Sequence, residues 1–261
     1  MVFHAQIGGV GDKGPQGGYI ARADSIRIGA LDFRDCMVEV TDRKDILNMD
    51  GLIGTDVFSS YLVTLDYPVL KFRLSPLPPR PSDTGSITAT LNTSGGDRFD
   101  GTGPGLFGQT VDPQDRYISP TMKDYFPVFR SGHYLIVPVA LNRKTQRLLM
   151  VDTGAYSSSL SPDVARTVTK VHGGDPGSVK GLGGDVSKVS FSEAVLFQFA
   201  GIQQQNNDLV SFDTSGLSKG AGIEISGFLG STVLRQLTIS IDYRDGLIKF
   251  DYDPHHGNHN F

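Results

Sequence analysis

A chain of 261 residues with 38% hydrophobic content is long enough for one or two globular domains, and it has no apolar run near the ~18 residues of a membrane span. Its formal charge of −4, from 24 basic and 28 acidic residues scattered among one another, offers no basic stripe to nucleic acid. The single cysteine, Cys36, excludes a disulfide framework within the chain and reads, in Phe33-Arg34-Asp35-Cys36-Met37-Val38, as a small buried hydrophobe of a strand.

Taken in chain order, short apolar or alternating runs predict strands at 19–28, 37–40, 61–65, 134–141, 148–151, 237–241 and 247–252. Gly, Pro, Asp and Asn punctuate them, and thirty-two glycines without long 3.6-period stretches point to an all-β chain with one short helix per lobe at most. The helix expected in the second lobe is 162–168, with Ser161 as N-cap, Pro162 at the first helical position and Asp163 in the first turn.

An internal repeat organises the chain. Gly51-Leu52-Ile53-Gly54-Thr55-Asp56-Val57-Phe58 and the following Leu62-Val63-Thr64-Leu65-Asp66-Tyr67 match Gly227-Phe228-Leu229-Gly230-Ser231-Thr232-Val233-Leu234 and Thr238-Ile239-Ser240-Ile241-Asp242-Tyr243 at a constant offset. Both copies close on Lys-Phe, at Lys71-Phe72 and Lys249-Phe250, after turns expected to differ by two residues. Such self-similarity implies a duplicated structural unit. Residues 1–75 then form a partial lobe that carries only the later half of the pattern, 76–124 a Gly/Pro/Ser-rich irregular linker, 125–254 a complete lobe and 255–261 a tail.

Chemistry concentrates in the second lobe. The apolar run Leu148-Leu149-Met150-Val151 leads straight into Asp152-Thr153-Gly154-Ala155, which projects one carboxylate from a tight turn, and Gly154 lets backbone amides approach it. The Gly227-Phe228-Leu229-Gly230 element follows about seventy-five residues later. A second Asp-Thr-Gly at Asp83 follows Pro78-Pro79-Arg80-Pro81-Ser82 instead of an apolar strand and reads as a solvated turn. After the expected helix, 179–185 with Gly181-Leu182-Gly183 reads either as an ordinary glycine-rich hairpin or as a flap candidate that closes over a ligand, and 7–18 is its counterpart in the first lobe. Gly8-Gly9-Val10-Gly11 is not a phosphate loop, because an alternating strand and not a helix follows it. His255, His256 and His259 lie in a polar tail without fixed coordination geometry, so no metal site is expected, and no other cofactor is called for. The serines at 157–159 lack a Gly-x-Ser-x-Gly elbow.

With these residues in place, Leu149-Met150-Val151-Asp152-Thr153-Gly154-Ala155 together with Gly227-Phe228-Leu229-Gly230 resembles the retropepsin-like aspartic peptidases, particularly bacterial members built from retroviral-type lobes. The full pattern covers the second lobe, and its later half covers residues 5–74. The resemblance implies a closed, mostly antiparallel β barrel, a glycine-rich flap over a cleft, and two Asp-Thr-Gly turns meeting between lobes. It would make Asp152 catalytic, Thr153 the hydroxyl that grips the opposing turn, Gly154 the close-approach residue, and Gly227 to Gly230 the supporting strand. Where retroviral members usually have Arg after that strand, this chain has Ser231 and Thr55.

The implied activity is hydrolysis of a polypeptide substrate, and it requires two carboxylates that share one proton, one acting as base toward water and the other as acid toward the scissile carbonyl. The sequence supplies one. Three readings stand: a partner turn in a half-lobe upstream of Met1, a homodimer that pairs two Asp152 turns across a twofold axis, or a module that binds peptide or dimerises without cleaving.

Overall fold

The computed structural model describes residues 3–41, 51–81, 116–132, 134–175 and 179–256, with Thr55 and Asp56 by their backbone alone. Among these, the strands in chain order begin with β1 Phe3–Ile7, β2 Gln16–Ile28, β3 Leu31–Val40, β4 Tyr61–Asp66 and β5 Lys71–Pro76. There follow β6 Phe126–Pro127, β7 Phe129–Ser131, β8 Tyr134–Leu141, β9 Thr145–Val151, β10 Ser159–Leu160, β11 Val171–Gly173, β12 Lys180–Gly181 and β13 Gly184–Asp185. The last are β14 Ser190–Ser192, β15 Val195–Phe199, β16 Ile202–Asn206, β17 Leu209–Ser211, β18 Gly227–Leu229, β19 Thr238–Asp242 and β20 Leu247–Asp251.

The fold is all-β in character, with three short α-helices among the described residues: α1 Pro162–Val168, α2 Ser215–Ala221 and α3 Ser231–Leu234. Helix α1 starts where its sequence signals place it, the Ser161 hydroxyl accepting the Val164 N–H at 3.4 Å. The second lobe thus holds two helices more than its composition suggested. Helix α2 buries no side chain and so leaves no apolar period to read, while α3 is a single turn after Gly230.

The chain divides into two compact units. The first takes residues 1–51, 85–105 and 176–187, and the second takes 52–84, 106–175 and 188–261. In the first, β1, β2 and β3 form an antiparallel meander, and β12 and β13 form a small hairpin. Cys36 sits on β3 and is half-buried, not fully buried as expected, because this three-stranded sheet covers only part of each face. Gly18 keeps β2 close to its neighbours, since a Cβ there would lie 2.6 Å from the Ile7 side chain and 2.8 Å from the Val40 carbonyl.

The second unit contains a curled sheet whose hydrogen-bonded path runs β11-β14-β17-β10-β18-β9-β8-β15-β16, with β7 paired to β8, so the path is open at both ends. Its inward residues Val137, Val139, Leu141, Leu149, Leu160, Val195, Phe197 and Leu229 are buried. Each such side chain contributes about 1.5–3 kcal/mol on burial.

A five-stranded sheet, β5-β4-β19-β20-β6, joins the two copies of the repeat within the same unit. Strands β4 and β19 are antiparallel, with Asp66 opposite Thr238, Thr64 opposite Ser240, and Leu62 opposite Asp242. The repeat offset is 176 residues, so Thr64 and Ser240 are equivalent positions that face each other. The pairing is therefore centred on a local twofold axis between them, where their hydroxyls lie 3.3 Å apart. The hairpins keep the same offset throughout, Asp66 facing Lys71 just as Asp242 faces Leu247. The two connecting turns are consequently equal in length. The Lys-Phe match is displaced by two positions along the strand instead of lying after unequal turns, and it does not mark equivalent residues.

The described ends of the expected irregular connector are fastened. Arg80 ion-pairs with the buried Asp245, the Tyr117 N–H donates to Asp245 Oδ1 at 3.1 Å, and Arg244 Nη2 donates to the Pro78 carbonyl at 2.8 Å. The Asp-Thr-Gly at residue 83 lies outside the described residues. In the tail, His256 is held by its Nε2 at 2.9 and 3.1 Å from the two carboxylate oxygens of Asp66, while His259 falls outside the described residues. Among the described residues, no helix is long and apolar enough to cross a membrane.

Candidate active site

Strand β9 delivers Asp152, as the apolar run before it requires. Its residues Leu149, Met150 and Val151 pair in parallel with Gly227, Phe228 and Leu229 of β18, and the Asp152 N–H extends the ladder to the Leu229 carbonyl at 3.0 Å. At Asp152 the chain turns sharply, the Ala155 N–H reaching the Asp152 carbonyl at 3.3 Å. The carboxylate folds back onto this turn: Oδ1 accepts the N–H of Gly154 at 2.8 Å and that of Ala155 at 3.2 Å. The approach is close, since a Cβ on Gly154 would stand 3.2 Å from Oδ1 and the carboxylate would have to give by a few tenths of an ångström. The side chain is half-buried and fixed through one oxygen, with Oδ2 left as its second acceptor.

The Gly-Phe-Leu-Gly element supports the turn from behind. The N–H of Ser231 donates to the Ala155 carbonyl at 2.8 Å and that of Thr232 to the Tyr156 carbonyl at 3.2 Å. The Gly230 N–H donates to the buried Ser158 hydroxyl at 3.1 Å. Both glycines are set by close approach, because a Cβ on Gly227 would fall 2.0 Å from the Ser159 carbonyl oxygen and one on Gly230 would fall 2.4 Å from that of Ser157. Ser231, the residue that follows Gly230, donates its hydroxyl to the Thr153 carbonyl at 3.4 Å. The structure thus brings Asp152, Thr153, Gly154 and Ala155 together with Gly227, Phe228, Leu229 and Gly230.

Two tyrosines complete the surroundings and were not singled out from the sequence. Tyr67, from the turn after β4, shares a side-chain hydrogen bond with Thr153, and its phenol is pushed above the ordinary range first by burial and then by the negative charge of Asp152. Burial and the same charge raise the Tyr134 phenol at the start of β8. Both phenols therefore stay protonated across the working range of any carboxylate. The available signal for Tyr67 was the Asp-Tyr pair that ends β4 and recurs as Asp242-Tyr243.

Gly181, Leu182 and Gly183 occupy the β12–β13 hairpin in the first unit, where they meet the glycine-rich segment of the other copy. The Gly183 N–H donates to the Val10 carbonyl at 2.7 Å, the Lys13 N–H to the Gly183 carbonyl at 3.0 Å, and the Asp12 N–H to the Asp185 carbonyl at 3.1 Å. Leu182 lies over Gly9, where a Cβ would come within 2.5 Å of the leucine Cβ. The two segments that sequence order makes equivalent thus touch through backbone hydrogen bonds.

No family model matches the chain. No curated protein matches it either. Among solved structures it is similar to the EIAV protease complexed with the inhibitor HBY-793, at 20% identity and a TM-score of 0.29, over 38% of this chain and 84% of that one. A likeness of that size bears no weight for chemistry, which rests on the residues themselves.

Proposed function

We propose that the chain is an aspartic endopeptidase that hydrolyses extended polypeptide with a water activated by a carboxylate pair, Asp152 being one member. The observation that supports this reading is the Asp152 carboxylate, held by two backbone N–H groups at the end of an apolar strand and braced by the Gly227 to Gly230 element. The two hydrogen bonds fix one carboxylate oxygen and leave the other to accept a proton from bound water. The second carboxylate, protonated, would hydrogen-bond the scissile carbonyl and stabilise charge as the tetrahedral intermediate forms. Thr153, Gly154 and Ala155 hold the geometry, and the hairpin carrying Gly181, Leu182 and Gly183 is the candidate flap that closes on substrate.

The test is hydrolysis of a peptide library between pH 3 and 7. Asp152→Asn should lower kcat by at least about 10³-fold while the melting temperature stays within a few degrees. Undiminished turnover by that variant would reject the assignment.

A second reading is a module that binds peptide or dimerises without cleavage. It predicts peptide binding that survives Asp152→Asn with no hydrolysis at any pH, and rapid turnover of the bound peptide would dismiss it.

A further inference from the structure

Copy two of the repeat contains its own template for something copy one lacks. Strand β18 lies between two strands of one continuous segment: β9 runs parallel to it, and β10 runs antiparallel, with Ser159 opposite Phe228 and Leu160 opposite Gly227. The Asp152-Thr153-Gly154 turn links those flanking strands, and together they leave Phe228 and Leu229 only 2% and 0% exposed. The repeat puts Leu52 and Ile53 at the same positions in copy one, yet they are 59% and 56% exposed. Among the described residues, no strand pairs with 52–54.

The rest of copy one keeps the architecture of copy two. The single helical turn Thr55–Phe58 matches α3, Phe58 is buried like Leu234, and β4 and β5 keep the register of β19 and β20. What is bare is therefore a preserved platform without its cover. Gly54 stands at the position of Gly230, where the absent side chain admits the Ser157 carbonyl of the covering segment.

We propose that Leu52-Ile53-Gly54 is a docking strand for a segment built like residues 145–160: an apolar strand pairing in parallel, an Asp-Thr-Gly turn, and a short returning strand on the other edge. The inference rests on the peptidase reading in one respect: the local twofold axis between Thr64 and Ser240 would set the incoming carboxylate as the counterpart of Asp152. A second whole copy of the chain is not the occupant, because its own β9 is already held between β8 and β18.

The probe is a fluorescein-labelled peptide of residues 145–160 of this chain, titrated into the full chain and followed by anisotropy. Saturable one-to-one binding is expected, weakened at least tenfold by Ile53→Asp and unchanged by Phe126→Ser at another exposed apolar position. Amide exchange at 52–54 should slow in the complex. The proposal is overturned if the peptide fails to bind both free and fused through a Gly-Ser linker, if Ile53→Asp binds equally well, or if the chain dimerises through Ile53 without peptide. Hydrolysis is scored separately: binding without turnover upholds the docking strand and removes the peptidase, whereas turnover without dependence on Ile53 does the reverse.

Discussion

The Thr153 hydroxyl is engaged by Tyr67, a residue from the other copy of the repeat, so the turn that carries Asp152 is steadied from across the local twofold axis. Removing that contact should be felt as one lost hydrogen bond. Tyr67→Phe is expected to lower stability by about 0.5–1.5 kcal/mol in a denaturant titration, and no change would show that the phenol does not brace the turn. The same phenol reports the charge beside it. Because burial and the Asp152 carboxylate raise its pKa, ultraviolet difference absorbance should show Tyr67 losing its proton above the ordinary phenol range, and Asp152→Asn should bring that step down. A titration identical in both proteins would mean that Asp152 and Tyr67 are not within electrostatic reach. Asp152 itself was legible, because an apolar strand running into Asp-Thr-Gly announces its own geometry. Tyr67 was not, because its partner lies 86 positions away in the sequence and no local pattern joins them.

At the scale of single elements, β18 is the piece most sensitive to added atoms. Gly227→Ala forces a Cβ to within 2.0 Å of the Ser159 carbonyl oxygen, and neither strand can retreat without breaking its pairing. The cost should be about 2–3 kcal/mol, read as a lowered denaturation midpoint, with the turn at Asp152 disordered alongside; wild-type stability would contradict the close approach. Strands with strong alternation, such as β8 and β19, were readable almost to the residue. The Lys-Phe pairs misled for a physical reason. A shift of two along a strand keeps every side chain on the same face, so pattern cannot distinguish the true register from its neighbour. Depth does: Phe250 is 5% exposed and packs edge-on against Phe199 at 5.1 Å, whereas Phe72 is 47% exposed and leans on Phe58 at 5.2 Å.

At the scale of the whole molecule, stability against acid should be governed by the charged cluster at the turn between β19 and β20. Burial alone would push the Asp245 carboxyl up, but the hydrogen bond and charge of Arg80, the Tyr117 N–H and the Arg244 charge outweigh it and hold the group below its ordinary value. A depressed carboxylate contributes stability that is present above its unfolded pKa and is lost as pH falls through the folded value. Melting temperature should therefore decline on acidification below about pH 4, and Asp245→Asn should flatten that decline. At neutral pH the same change should cost about 2 kcal/mol, less than for a fully buried pair because Arg80 remains 26% exposed. Asp242 behaves oppositely, since burial comes first among its influences and raises its pKa. Its contribution is present at low pH and is lost as pH rises through the folded value. Among the described residues its Oδ2 has no hydrogen-bond partner, so Asp242→Asn should raise the melting temperature at neutral pH, and a fall would show that the charge is needed. None of this was visible in the glycine- and proline-rich composition of residues 76–124, which shows irregular backbone but not that its ends are riveted to a buried acid.

The seam between β4 and β19 has an ancestry written into it. A ribbon that lies antiparallel against its own duplicate, crossing at the very residue that corresponds in both, would match itself just as well across two separate molecules. Joining two genes at such a place invents no new contact.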